Sequence, residues 1–173
     1  MIKRYVSAVI TVILFFILQC TLLQGLALAS ITPNLLIILT STLGFVRGKK
    51  EGMVVGALSG ALIDLFYCDV FGVNALIYMY VGYINGIFRK NFLPEDVRLP
   101  LILIGASDFI YCGAVFVARF VLRNKLDLGY YLLHVIIPEL VYTVLVSIIL
   151  YRVILLVCTK FDKMEKRSPK KFV

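Results

Sequence analysis

Long uncharged apolar runs, parted by short clusters of basic residues, restrict this chain more than any other feature. Residues 5–34 carry no charged side chain. That run is too long for the apolar stretch of a signal peptide, which covers about 7–15 residues. Lys3 and Arg4 ahead of it, and Ala27-Leu28-Ala29 within it, imitate a signal sequence and its cleavage site. The length favours an uncleaved first membrane span. Comparable runs recur along the chain, so that 61% of the 173 residues are hydrophobic and only 16% are charged. A soluble domain is nearer half apolar and a quarter charged. The excess excludes a disordered chain, a nucleic-acid-binding domain and an ordinary cytosolic enzyme.

A spanning helix needs about 20 residues, which leaves room for five or six spans and for no separate soluble domain. The runs place six spans at about 5–28, 33–46, 52–67, 73–88, 99–122 and 131–158, followed by a basic tail at 159–173. The predicted fold class is therefore all-α: a polytopic membrane protein with one bundle of six transmembrane helices. Pro33 suits the first turn of the second helix, where its missing N–H has no intrahelical partner. Spans two and three are short for a lipid core of about 30 Å. They either extend into their flanks or form a tight helical hairpin shielded by longer helices.

Charge fixes the predicted orientation. The N-terminus, the segments after spans two and four and the tail together hold fourteen Lys and Arg, whereas the opposite loops hold only Arg123 and Lys125. Basic residues accumulate on the cytoplasmic side, so both termini are expected in the cytoplasm. Membrane lipids are the first expected partners, because each basic residue near an anionic leaflet contributes about 1 kcal/mol of attraction. An acidic cytoplasmic protein is the alternative partner for the same charges.

Gly52, Gly56 and Gly60 fall four residues apart in span three and share one helix face, and Gly82 and Gly86 repeat the spacing in span four. Small residues let helix backbones approach closely in a membrane. This face either packs within the chain's own bundle or receives the transmembrane helix of a partner. Asp64, Asp108 and Glu139 lie inside spans. A charge at mid-membrane costs about 2.5–3.5 kcal/mol or more, so each is expected to face protein or water. They serve either a proton or cation pathway or polar contacts between helices, with Asn34, Asn74, Asn85 and Gln24 as neutral partners. The four cysteines, Cys20, Cys68, Cys112 and Cys158, have no CxxC spacing, and His134 is the only histidine. No metal centre, cofactor or catalytic constellation is predicted from these residues, and the chain is not expected to be an enzyme.

The order of motifs resembles the MreD family of bacterial rod shape-determining membrane proteins. Pro33-Asn34-Leu35-Leu36 opens the second span, Gly44 follows, and then come Gly52, Gly56 and Gly60. Gly60-Ala61-Leu62-Ile63-Asp64-Leu65 precedes Phe71-Gly72, with Ala75-Leu76 and Tyr83 beyond. Pro33, Asn34, Gly44, Gly60, Asp64 and Gly72 match the family pattern; spans five and six match only in hydropathy. The resemblance implies a scaffold in the bacterial cytoplasmic membrane, within the machinery that elongates the cell wall. It implies MreC as partner, with the MreB filament and a peptidoglycan glycosyltransferase–transpeptidase pair nearby. Gly52, Gly56, Gly60, Asp64 and Asn34 would then form the partner-helix surface. The family also resembles the six-helix substrate-binding subunits of energy-coupling vitamin transporters, which makes small-molecule binding the competing reading.

Overall fold

A computed structural model describes residues 2–25, 32–67, 71–91, 97–123 and 132–167. Cys68, the first turn with Ala27-Leu28-Ala29, the loop that holds Pro94, the loop that holds Lys125 and the tail beyond Arg167 lie outside the described residues.

Six α-helices carry the fold, and the described residues contain no strand. They are α1 (Ile2–Gly25), α2 (Leu35–Arg47), α3 (Lys49–Tyr67), α4 (Val73–Ile87), α5 (Arg98–Arg123) and α6 (Ile137–Arg167). A 3₁₀ turn at Phe88–Asn91 ends α4, and a π turn at Leu132–Ile136 leads into α6. Two stretches, Arg98–Val117 and Leu132–Thr159, are long and apolar enough to cross a membrane; Val6–Thr21 and Leu35–Arg47 are shorter apolar stretches.

The short second helix is the axis of the bundle. Every residue from Leu35 to Phe45 is buried, and α2 packs against each of the other five helices. Its 13 residues make about 20 Å at 1.5 Å per residue. A helix sheathed by protein need not match the thickness of lipid, so its shortness carries no penalty.

The connection from α2 to α3 is one residue, Gly48, which adopts φ +102°. That backbone region is nearly closed to residues with a Cβ. The segment from Arg47 to Glu51 reads as a charged loop, yet the chain turns at Gly48 and resumes a helix at Lys49. Lys and Glu are good helix formers, so where charge leaves the apolar layer is not where the helix stops. The same distinction explains α6, which continues to Arg167 rather than ending near 158. No Gly or Pro interrupts the sequence from Glu139 to Ser168. Pro33 also differs from expectation: it precedes the N-cap Asn34 instead of occupying the first helical turn.

Polarity is arranged inside out. Ile10, Leu14 and Ile17 on α1 and Leu145, Ile149 and Leu156 on α6 face outward, while Asn34, Asp64, Asn74, Asn85, Ser107, Asp108 and Thr143 are buried. Water would oppose this distribution; lipid favours it, because buried polar groups there find their partners inside the protein.

Candidate functional site: a polar seam through the bundle

The closest helix packing is between α3 and α4, and glycines make it possible. A Cβ on Gly52 would strike the carbonyl of Gly82, one on Gly56 the carbonyl of Tyr78, and one on Gly60 the carbonyl of Asn74. Each four-residue step along α3 is thus matched by a four-residue step back along α4. Gly44 of α2 meets the same carbonyl of Gly82, so three backbones converge there. The small-residue face, for which both bundle packing and a partner helix were predicted, is therefore covered by the chain's own α4. Of its two predicted uses, the structure displays packing within the bundle, because a second helix cannot occupy the same contact.

Asp64 closes the far end of this pair. α4 begins after Gly72, which has φ +106° and supplies no side-chain cap. The first turn of any helix leaves its N–H groups without intrahelical partners. Asp64 Oδ2 accepts from the backbone N–H of Gly72 at 2.9 Å and of Ala75 at 3.0 Å, and Oδ1 accepts from Asn74. A carboxylate from a neighbouring helix thus caps α4, and its charge matches the positive end of the helix dipole. No partner protein is needed to satisfy it.

Asn34 ties three helices at the start of α2. Its Oδ1 accepts from Ile37 N–H at 3.2 Å and from the Tyr78 hydroxyl at 2.9 Å, and its own N–H donates to Thr143 Oγ1 at 3.2 Å. Gln19 of α1 adds a fourth connection by accepting the Leu36 N–H. Deeper along the axis, the Asn85 amide donates to Ser107 Oγ at 2.7 Å and to the Val81 carbonyl at 2.8 Å, with Ser41 Oγ at 3.5 Å. Asn34 and Asn85 were legible as polar partners. Tyr78, Ser41, Ser107, Thr143 and Gln19 were not, because hydroxyls and amides inside apolar runs give no periodic signal.

Asp108 and Glu139 come together. One carboxylate oxygen of each and the Sγ of Cys112 all lie within 4.8 Å of one another. Asp108 and Cys112 are one turn apart on α5, and Glu139 and Thr143 are one turn apart on α6, so two i,i+4 pairs face each other. Asp108 and Cys112 were not singled out as a pair from the sequence, and the approach of Glu139 from a distant segment leaves no local signal.

One end of the bundle gathers the basic segments. A groove between α1 and α6 reaches α2, and its lining includes Ser7, Thr11, Arg47, Val157 and Cys158. The first turns of α1, the end of α2 and the late turns of α6 therefore share an end. Gly48 also lies against the Arg89 side chain, and Gly86 against the Lys49 backbone, which brings the 3₁₀ turn to the same place. Arg47 pairs with Glu51 at 3.6 Å, and the Lys49 ammonium stands 5.5 Å from the Tyr83 ring centre.

Asn34, Asp64 and the Asn85 amide find their partners within the seam, and among the described residues α2 fills the axis and leaves no open central chamber. Its chemistry is that of helix registration. A family model described as rod shape-determining protein MreD matches residues 1–161 of the chain. No curated protein and no solved structure matches it.

Proposed function

The chain belongs to the MreD family of rod shape-determining proteins, and from that premise we propose that it acts as a multi-pass membrane scaffold of the cell-wall elongation complex. In this reading it binds MreC and so helps to organise peptidoglycan synthesis. The observation that carries the reading is the filled axis: α2 is buried from Leu35 to Phe45 and is held by polar contacts from α1, α4 and α6. A substrate-binding subunit would need that volume for its ligand. With the glycine seam also closed, the outward faces of the helices are the surfaces left for a partner. The partner helix would pack there, beside lipid. The basic end would face the cytoplasm, with both termini on that side.

Site-specific photocrosslinking tests this. A photoreactive residue at the exposed positions Leu65 or Phe66 of α3, or Leu145 or Ile149 of α6, is expected to capture MreC on at least one face. The same residue at buried Val55 should capture nothing. Deletion in a rod-shaped host is expected to give rounded cells, restored by the wild-type chain. Rod-shaped cells after clean deletion, or no capture of MreC from any outward face of the six helices, would sink the proposal.

A further inference from the structure

The geometry points to a metal site between α5 and α6, which we propose binds a borderline divalent transition cation of the zinc type through Asp108, Cys112 and Glu139. The scaffold reading makes no use of this cluster. Asp108 and Cys112 leave the same face of α5 one turn apart, and Glu139 arrives from α6 just after the π turn and Pro138. One ligand atom from each lies within 4.8 Å of the other two. Interruptions of helical hydrogen bonding of this kind often accompany functional positions.

A second observation separates this cluster from an accidental meeting of acids. Asp108 is 0% exposed, and neither carboxylate oxygen has a hydrogen-bond partner. The neighbouring Thr143 hydroxyl accepts the Asn34 N–H, so its own proton is the single donor it can offer Asp108. Elsewhere in the seam the buried carboxylate of Asp64 accepts four hydrogen bonds. Asp108 shows the opposite pattern, though burying an ionised carboxylate without compensation costs several kcal/mol. A cation between the three groups supplies the missing complement.

The donor set selects the kind of cation. Calcium and magnesium favour oxygen alone. Two carboxylates with a thiolate suit zinc and related ions, and three protein ligands leave a fourth position for water. Bonds of about 2.0–2.3 Å in a tetrahedral site place ligand atoms roughly 3.3–3.7 Å apart, so the observed cluster closes by side-chain adjustment. Cys112 is a free cysteine, and its thiol would release its proton to solvent as the metal binds.

Cobalt(II) titration of the full-length protein in detergent tests the site, since cobalt reports thiolate ligation as a near-ultraviolet charge-transfer band. The expected result is one equivalent bound, with a band that zinc bleaches. Cys112→Ser should abolish the band and Cys20→Ser should retain it. Glu139→Gln and Asp108→Asn should each weaken binding at least about tenfold, since even outer-shell changes cost about 10–100-fold. Circular dichroism identifies any variant that fails to fold; Glu139 is only half-buried, so Glu139→Gln remains decisive if Asp108→Asn unfolds. No band in folded wild-type protein, or a band that survives Cys112→Ser, overturns the proposal.

Discussion

Asp64 on α3 accepts two hydrogen bonds from Asn74 on α4, one from the backbone N–H at 3.2 Å and one from the side-chain amide at 2.8 Å. With the N–H groups of Gly72 and Ala75 added, one carboxylate serves four donors. Hydrogen bonds to a charged group contribute about 1.5–3 kcal/mol each when a partner is removed. They overlap here in one cap. Asp64→Ala is therefore expected to destabilise the protein by about 2–4 kcal/mol, and Asp64→Asn by less, since its oxygen still accepts. Unfolding titrations in SDS measure both, and an Asp64→Ala variant as stable as wild type would contradict the cap.

The glycine seam yields two changes of opposite sign. A Cβ on Gly56 meets the backbone of Tyr78 and Met79, which cannot rotate away. Overpacking of this sort costs about 1–3 kcal/mol. Gly113 lies within α5 and would meet nothing within 4 Å. Gly56→Ala should therefore lower stability by that amount, whereas Gly113→Ala should raise it by about 0.5–1 kcal/mol through helix preference. The same SDS titration separates them; equal shifts in one direction would mean that helix propensity, not close approach, governs both.

Helix number and the apolar exterior were readable because lipid imposes a length and a composition on each run. The glycine face was also visible, but the identity of its neighbour was not. Gly52, Gly56 and Gly60 look alike whether they meet α4 or a foreign helix, and only the register with Gly82, Tyr78 and Asn74 decides. Asn34 could be recognised as a buried polar group, yet its contacts lie 44 and 109 residues away. The same limit hid the approach of Glu139 to Cys112. Gly48 escaped notice for another reason, since a helix can turn at one residue while the surrounding charges suggest a longer loop.

Asn85 and Ser107 offer a direct measure of the seam's contribution. They meet at 2.7 Å between α4 and α5, both buried. Interhelical hydrogen bonds in membrane proteins couple by about 0.6 kcal/mol on average and up to about 1.7. A double-mutant cycle with Asn85→Ala and Ser107→Ala should give a coupling of about 0.5–1.5 kcal/mol. A value near zero would show that the pair is adjacent without being energetically linked.

The clustering of basic segments at one end leads to a prediction about sidedness. Gly48 against Arg89, and Ser7 with Arg47 and Cys158 along one groove, place the turn after α2, the turn after α4 and both terminal helices together. A bilayer with an anionic inner surface and a positive-inside bias would hold that end in the cytoplasm. Single cysteines introduced at exposed Lys50 or Arg89, in a cysteine-free background, should resist a membrane-impermeant maleimide in intact cells or spheroplasts and react after lysis. One at Lys125 should react from outside. Labelling of Lys50→Cys and Arg89→Cys on opposite sides would break the bundle's geometry itself. External labelling of both, with Lys125→Cys protected, would keep the bundle and reverse its orientation. The shared end and its cytoplasmic side are thus tested separately by the same three variants.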